Sequence, residues 1–134
     1  MLLQPKTIKY KKIRKSNTLK YNFKSKKLKF GFIGLKAKNS GIITSRQIEA
    51  ARQAISRKLN KKGKLWIKIF PHLPITTKPS QSRMGKGKGN VSHWAVKIKT
   101  GQILFETCGI TEQLAIVAFK AGKSKLPVKT FICF

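Results

Sequence analysis

A short basic stretch rich in glycine, residues 83–89, carries the residue types best suited to binding an anion. It reads Arg83, Met84, Gly85, Lys86, Gly87, Lys88 and Gly89. The glycines recur at every second position and free the backbone, while the three cations supply positive charge. Because nothing in this stretch can be buried, we predict a loop within 80–91 that projects from a folded body toward a negatively charged partner. The alternative is a flexible hairpin loop that happens to be basic.

Neither of the common nucleotide-binding motifs fits this stretch. A Walker-type phosphate loop requires Ser or Thr directly after its lysine, and neither follows Lys86 or Lys88. A dinucleotide fingerprint requires a glycine at the place where the sequence has Asn90. The sequence therefore disfavours a small phosphoryl-transfer enzyme built on this loop.

The charge of the chain indicates the class of its partner. Its 134 residues include 31 Lys and Arg against 3 Asp and Glu, a formal net charge of +28. Such an excess repels itself and destabilises the compact state unless a polyanion neutralises it. The predicted partner is a nucleic acid, with an anionic membrane surface as the alternative. Arginine can bond a phosphate through two donors, so the candidates for fixed contacts are Arg14, Arg46, Arg52, Arg57 and Arg83.

Side chains suited to acid–base catalysis or metal binding are scarce. The acidic residues are Glu49, Glu106 and Glu112, and there is no Asp. The other potential ligands are Cys108, Cys133, His72 and His93. Their positions match no zinc spacing, so we predict no enzymatic activity, no metal and no cofactor. The cysteines are expected as small core residues in a reducing compartment. No apolar run approaches membrane-spanning length, and no membrane partner is expected.

The first 29 residues form a basic N-terminal extension that contains no acid and few large apolar side chains. Such a segment cannot bury enough surface to offset its ordering entropy, so it is expected to be ordered only against a polyanion. Its candidate RNA-binding residues are Lys6, Lys9, Lys11, Lys12 and Arg14. Tyr10 and Tyr21 could stack on exposed bases or pack back on the body.

A helix is predicted to begin after Thr44, because Thr44 and Gln47 have the spacing of a capping box. One helical stripe carries Ile48, Ala51, Ile55 and Leu59. Gly63 is expected to end the helix. The opposite face carries Arg46, Arg52 and Arg57. Cations near the C-terminal end suit the helix dipole, and we favour a phosphate-facing surface as well.

The remaining elements of residues 30–134 predict one α+β domain with an antiparallel or mixed sheet and two helices on one side. Strands are predicted over 28–35, 65–70 and 128–134, with an extended linker over 71–79. Residues 94–98 and 103–105 are predicted to pair as a hairpin around the turn at Thr100 and Gly101. His93, beside Trp94, is expected at the surface or facing RNA. A second helix follows Thr111, ends at Gly122, and has a predicted buried stripe of Leu114, Val117, Ala118 and Ala121.

Several blocks of sequence, in order and at fixed spacing, resemble one known family along nearly the whole chain. The blocks cover residues 5–7, 30–37, 43–52, 66–71, 74–76, 78–79, 83–89, 103–106 and 125–130. They are similar to the bacterial-type large-subunit ribosomal protein L-sixteen family, which includes the archaeal and eukaryotic L-ten-e type. Their joint order is far more specific than any single block.

The resemblance implies an α/β-hammerhead-type fold seated on large-subunit rRNA near the tRNA-binding face and the peptidyl-transferase region. It implies that the loop of residues 83–89 reaches toward the aminoacyl-tRNA side and that the N-terminal segment threads into rRNA. Lys36 and Lys78, which lie in matching blocks, join the expected RNA-binding residues. The implied partners are rRNA, tRNA transiently and neighbouring ribosomal proteins, without a homo-oligomer. The implied role is structural, supporting subunit assembly and tRNA positioning.

The chain departs from the family pattern at both ends. Lysine-rich sequence from Lys15, Ser16 and Asn17 replaces the usual arginine and glycine patch, and residues 131–134 lack the usual basic ending. The family motif starts almost at Met1, and lysine dominates over arginine, so we expect an organelle-encoded mitochondrial copy. A bacterium or a plastid is the alternative compartment. The alternative function is a free nucleic-acid-binding or RNA-chaperone module.

Overall fold

Two antiparallel sheets and two helices make up the part of the chain that this computed structural model describes, residues 3–14, 27–60 and 62–134. The elements are β1 (Ile33–Ala37), β2 (Gly41–Thr44), α1 (Ser45–Lys58), β3 (Lys64–Ile67), β4 (Leu73–Thr77), β5 (Asn90–Ile98), β6 (Ile103–Cys108), α2 (Glu112–Lys123) and β7 (Thr130–Cys133). The prediction of an α+β fold with two helices is confirmed.

The larger sheet has four strands in the order β3-β6-β1-β7, and all of its pairs are antiparallel. Leu35 lies opposite Phe105 on one side and Ile132 on the other. Leu35 and Phe105 are fully buried, because this face of the sheet packs into the core. The strands predicted over 65–70 and 128–134 exist as the shorter β3 and β7.

The smaller sheet has three strands in the order β2-β5-β4. Sequence alone predicted only an extended linker where β4 lies, because Pro74 cannot donate a ladder hydrogen bond. The strand forms nonetheless, since β4 is at an edge of the sheet and pairs on one side only, with Pro74 opposite Trp94.

The predicted hairpin of residues 94–98 and 103–105 is wrong, although its turn is present. β5 and β6 belong to different sheets. The amide of Gly101 donates to Ala37 O, and the amide of Ala37 donates to Gln102 O, both at 2.9 Å. These two bonds attach the turn to the end of β1, so the chain continues as β6 beside β1 rather than returning along β5.

The first helix follows its sequence signals closely. Thr44 accepts from the amide of Gln47, and the Gln47 side chain accepts from the amide of Thr44, which completes the predicted capping box. The whole predicted stripe of Ile48, Ala51, Ile55 and Leu59 is buried. The predicted stop at Gly63 is wrong, because the helix ends at Lys58 and Asn60 adopts a φ of 49°.

The second helix presents a different face from the predicted one. Its buried residues are Ala115, Ala118, Phe119 and Gly122, whereas Val117 is exposed and Leu114 is only half-buried. Gly122 is the penultimate residue of the helix, which ends at Lys123, one residue later than predicted. A Cβ at Gly122 would lie 2.6 Å from Ile55 Cγ1, so α2 packs closely on α1 at this glycine.

The predicted strand over 28–35 begins only at Ile33. The amides of Lys29, Phe30 and Gly31 all donate to Glu106 Oε2 at 2.8–3.2 Å, so they are not available to a ladder. Phe30 instead stacks on Trp66 of β3 with ring centroids 6.0 Å apart. Residues 29–31 therefore bind Glu106 of β6, and Phe30 packs on Trp66 of β3, rather than extending β1.

Candidate nucleic-acid interface

The glycine-rich loop leaves the smaller sheet at Thr77 and returns to it at Asn90. Its residues 83–88 are exposed, and Met84 is 94% accessible. Gly85, Lys86 and Gly87 adopt positive φ angles of 93°, 52° and 83°. Because glycine adopts such angles without steric cost, the glycines at positions 85 and 87 let the loop turn sharply. Asn90 and Val91, at the end of the predicted loop, lie in β5.

Three lysine side chains hold the loop and attach it to the N-terminal segment. Lys78 Nζ donates to Gly85 O at 2.6 Å, which bonds one arm of the loop to its tip. Lys88 Nζ donates to Ile13 O at 2.6 Å. Lys12 Nζ donates back to Lys88 O at 2.7 Å. The described N-terminal residues 3–14 and the loop therefore form one surface, which we call the tail–loop surface (residues 3–14 and 78–90).

This surface is positively charged and lacks compensating acids. Its cations are Lys6, Lys9, Lys11, Lys12, Arg14, Lys78, Arg83, Lys86 and Lys88, and residues 3–14 and 78–90 contain no Asp or Glu. The loop itself surrounds a concavity of about 610 Å³. Crowding cations in this way costs free energy in the isolated protein, and a bound polyanion would remove that cost.

An exposed aromatic residue accompanies these cations. Tyr10 is 65% accessible, and Lys9 Nζ lies 5.7 Å from its ring centroid. An exposed tyrosine among cations suits stacking on an unpaired base. Of the alternatives for the two tyrosines, Tyr10 does not pack into the core. Tyr21 and the segment of Lys15, Ser16 and Asn17 lie outside the described residues.

The three arginines of α1 have different environments. Arg52 is bound to Glu49 through Nε at 3.0 Å and Nη2 at 2.7 Å. This pairing lowers the pKa of Glu49 and raises the pKa of Arg52, because each charge is hydrogen-bonded to the other. Arg46 and Arg57 are exposed at the two ends of the helix. Arg52 is thus already paired with a carboxylate, whereas Arg46 and Arg57 form no ion pair within the described residues.

Lys36 lies apart from the tail–loop surface, in β1 of the larger sheet, and is half-buried. Its side chain approaches the Cys133 thiol, whose pKa is raised mainly by burial and is partly lowered by Lys36. The structure therefore gives Lys36 a neighbour inside the fold, on a sheet that does not carry the loop.

Glu106 is the residue whose importance the sequence did not reveal. Its side chain is completely buried, and Oε2 accepts all three amides of residues 29–31. Such a cluster of backbone amides is a natural carboxylate-binding site. The available signal was an acid within the otherwise uncharged strand of β6, which is unusual unless the charge is hydrogen-bonded.

Two classes of site find no support among residues 3–14, 27–60 and 62–134. No group of three or more His, Cys, Asp or Glu residues is placed to hold a metal ion there. In the same ranges, no helix is long and apolar enough to cross a membrane.

Comparison with known proteins identifies the family. The family model described as ribosomal protein L16p/L10e matches residues 5–133. The chain is 50% identical over 129 residues to the large ribosomal subunit protein uL16 of Halorhodospira halophila, covering 96% of this chain and 94% of that protein. It is 51% identical over 130 residues to the uL16 protein of Blochmanniella pennsylvanica, covering 97% and 96%. Both relatives are bacterial. The chain, with its basic loop on a two-sheet α+β body, belongs to the ribosomal protein L16p/L10e family.

Proposed function

We propose that this chain is a structural constituent of the large ribosomal subunit and binds large-subunit rRNA through the tail–loop surface. The observation that carries the proposal is the pair of hydrogen bonds from Lys12 Nζ to Lys88 O and from Lys88 Nζ to Ile13 O, which brings two acid-free basic segments together. The names of the bacterial relatives support the same role. The protein acts by positioning RNA rather than by catalysing a reaction.

The binding mechanism is electrostatic. Each cation that neutralises a phosphate releases condensed counterions, so affinity falls steeply as salt increases. The glycines allow the backbone of the loop to approach the RNA closely, while Arg83 can bond a phosphate with two donors. Lys6, Lys9, Lys11 and Arg14 extend the same contact along the N-terminal segment.

The tip of the loop suits a second and transient partner. The space around Gly85 and Gly87 is open, with nothing within 4 Å of a Cβ built at either residue. We propose that this tip faces tRNA on the aminoacyl side of the subunit, as the family resemblance implies. Residues 1–29 act as an extension ordered on rRNA, and residues 30–134 act as the single folded domain.

The alternative is a free RNA-binding or RNA-chaperone module. Net charge alone supports both functions, since +28 would attract any nucleic acid. The family match over residues 5–133 favours the ribosomal role. For the compartment, we propose a mitochondrial ribosome from the lysine-dominated composition, with the bacterial cytoplasm as the alternative that the bacterial relatives favour.

Sucrose-gradient fractionation of the source lysate tests this function. We expect the chain to migrate with the large ribosomal subunit and to stay there after a high-salt wash. Neighbouring ribosomal proteins should migrate in the same fraction, and the origin of that fraction identifies the compartment. Release into light fractions, or spread across all RNA, would favour the free RNA-binding module.

A further inference from the structure

A second concave site lies at the other end of the described N-terminal segment from the loop. Its volume is about 440 Å³, and three parts of the chain surround it: Leu3 and Gln4, the first turns of α1, and residues 92–94 of β5. Leu3 packs against the hydrophobic core, which anchors the start of the segment at this cavity. A cavity of this volume is large enough to hold a small organic ligand.

One wall of the cavity is aromatic. Trp94 is half-buried and shares a face of β5 with Val96 and Ile98, which belong to the core. Its indole therefore lies where the core meets the cavity. His93 also lines the cavity, and its Nδ1 lies 3.3 Å from Ser92 Oγ. Indole and imidazole rings are surfaces on which unpaired bases stack.

A cation, Arg46, also lines the cavity. Arg46 is exposed and, within the described residues, has no hydrogen bond or ion pair. The nearest acid along the helix, Glu49, is bound by Arg52 at 2.7 Å and by Gln53 at 3.2 Å. Arg46 also stands in the first turn of α1, which contains no acid, and a cation there opposes the helix dipole. This arginine therefore does not stabilise its own helix.

We propose that this cavity receives one unstacked nucleotide of the bound RNA, with its base against Trp94 and its phosphate on Arg46. The inference rests on the proposed function, since RNA is the partner. It adds a contact of nucleotide size that lies outside the loop. Gln53, Ser45 and Ser92 also line the cavity and supply hydrogen-bonding groups for a base or ribose.

Ultraviolet crosslinking of the full chain to large-subunit rRNA, followed by nuclease digestion and mass spectrometry, tests the proposal. We expect nucleotide adducts on His93 or Trp94 in addition to adducts on the loop. Arg46→Gln should lower the yield at residues 93–94 at least fivefold relative to the loop adducts of the same sample. Lys120→Gln is the matched control, because it removes one positive charge from an exposed helix position but does not line this cavity. Circular dichroism checks that both variants fold.

The outcomes separate this inference from the proposed function. Loop adducts without any adduct at residues 92–94 would overturn the nucleotide site while leaving rRNA binding intact. An unchanged ratio in Arg46→Gln would overturn the phosphate-binding role of Arg46. A chain that retains no rRNA at all would overturn the proposed function and this inference together.

Discussion

Lys12 and Lys88 are joined across 76 positions of sequence by a 2.7 Å hydrogen bond from the Lys12 ammonium to Lys88 O. The Lys88 ammonium donates in return to Ile13 O at 2.6 Å. Each of these two cations thereby bonds the backbone of the other segment, and neither segment contains an acid. Such an arrangement is favourable when a phosphate lies between or above them, since the anion offsets their repulsion.

We predict that Lys12 and Lys88 act together in RNA binding. Replacing either lysine by alanine removes one of the two hydrogen bonds between the N-terminal segment and the loop. Each single variant should therefore weaken the attachment of the loop to that segment. Residues in direct contact deviate from additivity by about 0.5 kcal/mol or more. Filter binding of Lys12→Ala, Lys88→Ala and the double variant to large-subunit rRNA measures this coupling.

Lys6 provides the control for this double-mutant cycle, because it is an exposed lysine of the same N-terminal segment. Lys6→Ala combined with Lys88→Ala should be additive within about 0.3–0.5 kcal/mol. Equal additivity for the Lys12 and Lys6 cycles would show that tail and loop bind RNA independently.

Glu106 should be essential for stability. In Glu106→Ala, the amides of residues 29–31 lose their shared acceptor, so the free energy of unfolding should fall by about 2–3 kcal/mol. Glu112→Ala is the control, since Glu112 is exposed and contributes only its interaction with the α2 dipole, about 0.3–1 kcal/mol. Urea unfolding measures both. Equal losses in the two variants would contradict the role of Glu106 as the acceptor for this segment.

Gly122→Ala should destabilise the protein although alanine favours helix. Helix propensity alone predicts a gain of about 1 kcal/mol, whereas overpacking a core costs about 1–3 kcal/mol. The new Cβ would lie 2.6 Å from Ile55 Cγ1, and the β-branched Ile55 cannot rotate away easily within a helix. We therefore expect a net loss in thermal unfolding.

That explanation is tested by the effect of Gly122→Ala on stability in a variant that also carries Ile55→Ala. Removing Cγ1 and Cδ1 of Ile55 eliminates the two closest contacts. Gly122→Ala should then stabilise the protein relative to Ile55→Ala alone. A loss of stability in both backgrounds would mean that the contact between α1 and α2 is not the cause.

The Glu49 and Arg52 pair should give a pH-dependent contribution. Its hydrogen bond to Arg52 lowers the pKa of Glu49 below its ordinary value of 4.5. Stabilisation is therefore complete above the ordinary pKa and is lost as the pH falls through the lowered one. Arg52→Gln should reduce the free energy of unfolding at pH 7 by less than about 1 kcal/mol, because the pair lies near the surface.

Urea unfolding from pH 7 to pH 2 checks this sign. The difference between Arg52→Gln and the unsubstituted chain should shrink as the pH falls and vanish once Glu49 is protonated. Arg57→Gln, which has no acid partner among the described residues, should show no such trend. A difference for Arg52→Gln that is constant with pH would contradict the ion-pair explanation.

Local signals were sufficient to predict the first helix from the sequence. Its capping box and its buried stripe depend on residues three or four apart, and the structure confirms both. The position of the basic loop was also predictable, because alternating glycine and lysine cannot enter a core. The family was recognisable from the order of its blocks.

Which distant segments of the chain pair or pack with each other was not predictable in the same way. The turn at Thr100 and Gly101 forms as expected, but its bonds to Ala37 send the chain into the other sheet. The buried face of α2 is set by close contact with α1, which requires small residues such as Gly122 rather than the largest apolar ones. The joining of Lys12 to Lys88 likewise depends on the folded body between them.

The salt dependence of rRNA binding tests most directly whether the loop is the RNA contact. Arg83, Lys86 and Lys88 are replaced together by glutamine, and log K is measured against log salt. Each lost phosphate contact should reduce the magnitude of this slope by about 0.7–0.9, so the slope of the triple variant should be smaller by about 2–3. A control variant in which Lys58, Lys120 and Lys123 are replaced by glutamine removes the same charge from exposed helix positions. Its slope should be reduced by less than about one. Equal slopes for the two triple variants would contradict the loop as the contact and favour binding through net charge alone.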